Sequence, residues 1–140
     1  MPSYETSVDV AAPVATVWEV TCDVETWPSW SPTMDEVTRT DAGPIGPGST
    51  ARVRQPRLRP ATWVVDRVDD GRAFVWHTAG PGYHLTAEHL LEPRGDGTSV
   101  LLRAVTTGPL APVLWALAGR TVRRYLDEEA AALKRRCEAG

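Results

Sequence analysis

The stretch Asp23-Val24-Glu25-Thr26-Trp27-Pro28-Ser29-Trp30-Ser31-Pro32 decides how this 140-residue chain is read. Two prolines within five residues stop regular structure, and two tryptophans three apart sit in the turn they create. Upstream, Tyr4 to Val10 alternates, with Val8 and Val10 on one face and Ser7 and Asp9 on the other, as a half-buried strand requires. Ala11-Ala12-Pro13 ends that strand, and Pro13 can open a helix because its missing N–H costs nothing there. Val14, Val17, Trp18 and Thr21 then form a helical stripe, and Asp23 is placed to cap a second short turn running into Trp27.

Downstream of Pro32 the pattern is strand after strand. Met34 to Thr40 comes first, then the turn-rich segment from Asp41 to Gly48, then Thr50 to Gln55. After the Pro56-Arg57-Leu58-Arg59-Pro60 loop come Ala61 to Val68, Ala73 to Ala79, Tyr83 to Glu92 and Ser99 to Thr107. Their short glycine-bearing links at 69–72, 80–82 and 94–97 suit hairpins. The chain closes on a long helix whose stripe runs through Trp115, Ala118, Val122, Tyr125, Leu126, Glu129 and Leu133, with Lys134, Arg135 and Arg136 at its dipole-favoured end. The expected class is α+β: a curved seven-stranded antiparallel sheet around a long C-terminal helix, with two short helices between strands 1 and 2. One domain is expected over residues 1–140, since a chain of this length buries roughly 68% of its unfolded surface.

Composition narrows the function classes. Net charge is −3 from 15 basic and 18 acidic residues, so no global field favours nucleic acid. The longest apolar run, Leu110 to Gly119, is about half of the roughly 20 residues a membrane span needs, so stable insertion is not expected. Cys22 and Cys137 match no metal spacing and no signal peptide is read, which points to reduced thiols and a cytoplasmic location. Six tryptophans against one phenylalanine is the unusual count, and the indole serves cores and pockets alike.

Period-two alternation assigns the strand faces. Ala51, Val53 and Gln55 point inward and Arg52 and Arg54 outward. Trp63 and Val65, then Phe74, Trp76 and Thr78, then Leu85, Ala87, His89 and Leu91 share the inward face. Val100, Leu102, Ala104 and Thr106 complete it.

These residues together resemble the SRPBCC superfamily, also called START-like or Bet v 1-like, and within it the polyketide cyclase/dehydrase and lipid-transport branch. The resemblance rests on Val10-Ala11-Ala12-Pro13 followed by Val17-Trp18, on the stretch from Asp23 to Trp30, and on Gly48-Ser49-Thr50-Ala51-Arg52-Val53. It rests also on His89-Leu90-Leu91-Glu92-Pro93 with Gly95-Asp96-Gly97-Thr98, and on Tyr125 to Lys134. It covers nearly the whole chain and implies a helix-grip fold with a cavity between sheet and long helix. It implies a cavity mouth at the loops Pro56 to Pro60 and Gly80 to Gly82. The candidate lining is then Gln55, Trp63, Phe74, Trp76, Leu85, Ala87, His89, Leu102, Trp115, Val122, Tyr125, Leu126 and Glu129, with Arg57, Leu58, Arg59 and Pro81 at the mouth.

Physics limits such a cavity independently of any family. A dry void of about 500 Å³ would cost on the order of 12 kcal/mol, which rivals the stability of a whole domain. The space must therefore hold water or a ligand, or be partly closed by bulky groups such as Trp63, Phe74, Trp76 and Trp115. An apolar ligand burying about 300 Å² would gain roughly 7 kcal/mol before binding costs, which corresponds to micromolar affinity.

His89 leads the polar candidates: it either meets a ligand carbonyl or moves a proton, or else is a structural histidine bonded to Glu129 or to a backbone carbonyl. Glu129 on an apolar stripe calls for a partner, such as His89 or an inward-pointing arginine. His77 and His84 flank a hairpin without a third ligand on their face, so no metal site and no cofactor is expected. Arg52, Arg54, Arg57 and Arg59 are either a solvated face or a receiver for a carboxylate, a phosphate or an acyl carrier protein. Leu110 to Gly119 is either the apolar start of the last helix packed on the sheet, or a lid or membrane-touching segment.

Two functions remain. One is a bacterial-type pocket protein that binds a hydrophobic lipid-like or aromatic molecule, as monomer or homodimer. The other is a cofactor-independent polyketide cyclase or dehydratase, with His89 moving the proton and Gln55 or Tyr125 orienting a carbonyl. No nucleophile–base pair, phosphate loop or metal motif is present in the sequence, and the balance favours binding.

Overall fold

The computed structural model describes residues 2–139. Strand β1 (Ser3–Val10) leads into helix α1 (Val14–Cys22), a 3-10 turn (Val24–Thr26) and the four-residue helix α2 (Trp27–Trp30). Six strands follow: β2 (Glu36–Arg39), β3 (Thr50–Arg54), β4 (Ala61–Asp69), β5 (Ala73–Gly80), β6 (Tyr83–Arg94) and β7 (Gly97–Thr107). Helix α3 (Ala111–Glu138) ends the chain; at 1.5 Å per residue its 28 residues span about 42 Å.

All seven strands form one antiparallel sheet in the order β1-β7-β6-β5-β4-β3-β2. β1 pairs with β7 across the chain, and every other pair is a sequential hairpin. The α+β helix-grip architecture expected from the sequence is therefore present, two short helices between β1 and β2 included. Two local details differ from expectation. Asp23 makes no side-chain cap; its carbonyl instead accepts bonds from the Thr26 N–H and hydroxyl. β2 is only four residues long, because Met34 and Asp35 lie in the link that leaves α2.

The register explains where the sheet is thick and where it is thin. One inward row reads Thr6–Leu102–His89–Phe74 across β1, β7, β6 and β5. The next row reads Tyr4–Ala104–Ala87–Trp76–Val65, so two methyl groups occupy the central strands between larger neighbours. Beyond Val65 a bulge at Asp66 shifts β4 by one residue, which bends the strand and strengthens its twist.

Helix α3 lies across the inner face, packed mainly on β1 and β7. Its C-terminal end is pinned to the corner after β1: Lys134 Nζ donates to the Asp9 carbonyl, and the Ala11 N–H donates to the Glu138 carboxylate at 2.8 Å. Its start is set by the turn at Gly108, whose φ of +105° and a Cβ position 2.5 Å from the Gly82 carbonyl exclude any side chain. The start of α3 packs on one side only: Ala111 and Gly119 are buried, while Leu110, Val113 and Leu117 are exposed.

Two apolar clusters fill the inner face. An aliphatic one gathers Val10, Val17, Leu91, Val100, Leu102 and Leu133. An aromatic one gathers Trp27, Trp63, Phe74 and Trp76 with Val24, Val37, Val53 and Val65.

Candidate functional site

The thin alanine row and the aromatic cluster together leave a cavity. Its walls are Trp27, Thr33, Met34, Gln55, Leu58, Trp63, Trp76, Leu85, Ala87, His89, Ala104, Val122, Tyr125, Leu126 and Glu129. It offers about 70 Å³ to the centres of water-sized molecules, well below the 300–1,000 Å³ typical of ligand pockets. Tryptophans have closed most of the space: Trp27 meets Trp76 edge-on at 5.4 Å, and Trp63 tilts against Trp76 at 5.3 Å.

Ten of the residues marked from sequence as pocket lining meet here: Gln55, Trp63, Trp76, Leu85, Ala87, His89, Val122, Tyr125, Leu126 and Glu129. Three do not. Phe74 lies fully buried behind Trp27 and Trp76, and Leu102 faces the aliphatic cluster. Trp115 sits one turn too early on α3, half-exposed, with the Arg123 guanidinium 5.6 Å from its ring. Of the mouth residues, Leu58 forms part of the wall, while Arg57, Arg59 and Pro81 are exposed and line nothing.

Trp27, Thr33, Met34 and Ala104 complete the wall without having been marked as lining. Ala104 was legible as inward but is a small residue that draws no notice. Trp27 reads in the sequence as part of a turn; its 1% exposure and contacts to Trp30, Phe74, Trp76 and His89 make it the centre of the aromatic cluster. A large apolar residue directly before a proline turn was the available signal.

The polar groups are few and placed on three elements. His89 is buried and its Nδ1 lies 3.1 Å from the Phe74 carbonyl. A carbonyl only accepts, so Nδ1 carries the proton and Nε2 is the free nitrogen of the neutral ring. Nε2 faces Glu129 Oε2 at 3.7 Å, too far for a hydrogen bond and close enough for a charge pair. A proton on either group makes the contact attractive; without one, two acceptors face each other. Gln55 Nε2 donates to the Thr33 carbonyl at 3.1 Å, leaving its second N–H and its carbonyl oxygen unused by that bond.

Tyr125 latches the mouth by donating its hydroxyl to the Pro56 carbonyl. Burial pushes the phenol above its ordinary value, so it keeps its proton and stays a donor throughout the neutral range. The latched loop is locally strained: Arg57 has φ +66°, a left-handed conformation rare for a side-chain-bearing residue. That turn is what carries Leu58 inward and leaves Arg57 and Arg59 in solvent.

The remaining titratable residues lie elsewhere. His77 and His84 stack at 5.3 Å on the outer face, with His77 Nδ1 2.9 Å from the Asp66 carboxylate. Among the described residues no three His, Cys, Asp or Glu side chains converge to hold a metal ion. Burial, then the charge of Asp70, raises the Cys22 thiol to about 12, and burial raises Cys137, so neither is a ready thiolate. No helix among the described residues is long and apolar enough to cross a membrane.

Comparison with known proteins matches this arrangement. The fold is shared with Ara h 8.0201 at 14% identity, covering 99% of each chain with a TM-score of 0.79. It is shared with the Zhui aromatase/cyclase from Streptomyces sp. R1128 at 21% identity, covering 96% of this chain and 94% of that one with a TM-score of 0.69. It is shared also with the di-domain ARO/CYC BexL of the BE-7585A biosynthetic pathway, at 21% identity and a TM-score of 0.77; there 99% of this chain spans 47% of the other. At these identities the likeness is one of fold. No curated protein sequence matches the chain significantly. Residues 1–138 match the family described as polyketide cyclase/dehydrase and lipid transport, and the chain belongs to that family.

Proposed function

We propose that this protein binds a hydrophobic, ring-bearing small molecule in the cavity between the sheet and α3. The observation that carries this reading is the wall itself: three indoles and a ring of aliphatic groups, with polar atoms confined to His89, Glu129, Gln55, Thr33 and Tyr125. Flat indole faces stack on aromatic rings, and a few converging polar groups fix a ligand's orientation. The cavity is narrower than a fused-ring ligand, so binding would release the Tyr125–Pro56 bond and swing Leu58 outward.

A second reading, a polyketide cyclase or dehydratase, is favoured by one specific feature. His89 is held by Nδ1 with its Nε2 at the cavity wall beside Glu129, the arrangement a proton-transfer group needs. A reactive chain folded against Trp27 and Trp76 would be held near its attack geometry, with Tyr125 or Gln55 on a carbonyl oxygen. The family description and the aromatase/cyclase neighbours support this reading as well. Exposed Arg57 and Arg59 beside the mouth would suit an acidic acyl carrier protein delivering the chain.

The test is titration with 2-naphthol, followed by quenching of tryptophan fluorescence, in the unmodified protein and in Ala87→Phe. Saturable micromolar binding that Ala87→Phe abolishes is the expected result. Binding that survives a phenyl ring in the cavity would place the ligand elsewhere and end the proposal. With a polyketide-type substrate, His89→Ala separates the two readings: lost turnover with near-normal affinity marks an enzyme, and altered affinity alone marks a carrier.

A further inference from the structure

We infer that Trp30, Glu129 and His89 hold one buried water molecule, which completes the His89–Glu129 pair. The two side chains approach to 3.7 Å, a spacing that leaves their facing atoms without a direct hydrogen bond. Beside them lies a second, smaller cavity, bordered by both residues and by Thr21, Trp30 and Leu133. It offers about 10 Å³ to water-sized centres, room for about one water.

Room alone does not make a water site; it also needs two or more polar partners. Trp30 supplies the decisive one. Its indole N–H is buried and has no acceptor among the described residues, although an indole nitrogen can only donate and buried donors are nearly always paired. Its neighbour Trp27 has its own acceptor, the Val20 carbonyl, and does not compete. Thr21 spends its hydroxyl proton on the Val17 carbonyl at 2.8 Å, so its oxygen is left as an acceptor. A water in this cavity therefore accepts from Trp30 Nε1 and donates to Glu129, with Thr21 Oγ1 or His89 Nε2 as second acceptor. The indole N–H that direct contacts leave unpaired is then satisfied.

The consequence lies in the pair. Glu129 and His89 border both cavities, so a water on the Trp30 side anchors the carboxylate from within the core while the imidazole keeps its place at the main cavity wall. With Nε2 as its second acceptor, the same water links the two groups across their gap, giving a proton a path between Glu129 and Nε2. Trp30 touches only the small cavity, which makes it a positioning residue acting through Glu129. The inference concerns the pair itself and stands apart from which ligand the main cavity takes.

Crystal structures of the unmodified protein and of Trp30→Phe, at near-atomic resolution, test it. The expected result is one ordered solvent peak within about 3.2 Å of Trp30 Nε1 and of a Glu129 or His89 atom, displaced or absent in Trp30→Phe. An NMR cross-peak between the Trp30 indole proton and water, signed for a long-lived site, is expected in the unmodified protein and decides the matter if the variant does not fold. A structure without that peak, or with the indole N–H bonded directly to a protein oxygen, overturns the inference. Lost ligand binding with the water in place would count against the ligand proposal and leave this one intact.

Discussion

The aliphatic and aromatic halves of the inner face share one sheet and one helix, yet only one of them encloses a sizeable space. In the aliphatic half, Val10, Val17, Leu91, Val100, Leu102 and Leu133 are branched, compact and interlocked under the C-terminal part of α3. None of them touches the main cavity. In the aromatic half, Trp27, Trp63 and Trp76 are broad and rigid and stand beside Ala87 and Ala104. Branched aliphatic groups mesh to crystal-like density, whereas flat rings facing methyl groups cannot close the last gap. The same helix thus rests on a structural half and a functional half.

The largest expected effects fall on side chains away from the main cavity, one in each half. Phe74→Ala and Leu102→Ala remove fully buried side chains that do not border the main cavity, and each should cost about 3–5 kcal/mol in urea unfolding. Trp63→Ala removes a larger ring, but one of its faces already borders the cavity, so its cost should fall to about 2–3 kcal/mol. A loss for Trp63→Ala as large as for Leu102→Ala would erase the contrast between the halves. Ala87→Phe should be cheaper still, under about 1 kcal/mol, since the new ring enters existing space rather than packed core. A loss beyond the usual overpacking range would mean the space is not there.

Tyr125→Phe should cost about 0.5–1.5 kcal/mol by removing the bond to the Pro56 carbonyl, while stopped-flow mixing shows faster ligand association through a looser mouth. An unchanged association rate would show that Leu58 does not gate the cavity. The smallest effect belongs to the other end of α3. Glu138 is held below the ordinary glutamate value by the Ala11 N–H and then by Lys134. Its stabilisation is fully present above the ordinary value near 4.5 and is lost as pH falls through the lowered folded value. Glu138→Gln should flatten only the acid limb of the stability–pH curve, and a change confined to neutral pH would assign Glu138 another role.

Element by element, the faces of the strands were readable where alternation survives: Leu85, Ala87, His89 and Leu91 on β6 align with Thr106, Ala104, Leu102 and Val100 on β7, whereas in β4 it ends at the bulge. Which side of the α3 start faces solvent was not readable, since Leu110, Val113 and Leu117 carry the apolar signature of packed residues and yet are exposed. Nor was the emptiness beside Ala87 and Ala104. An alanine is inward or outward by period, but whether its smallness leaves room depends on what four other strands place around it.

By itself the sequence determined an order of one strand, two short helices, six strands and one long helix, an inward-facing His89 and a Glu129 on the same helix stripe as Leu133. Those follow from periodicity and turn chemistry, which are local. Only the tertiary structure decided that Trp27 rather than Trp115 closes the cavity, that Phe74 stands behind the wall and not in it, and that His89 and Glu129 stop 3.7 Å apart. These depend on register, on the bulge at Asp66 and on where α3 crosses the sheet. Such distances between side chains far apart in sequence are set by packing, and no local pattern encodes them.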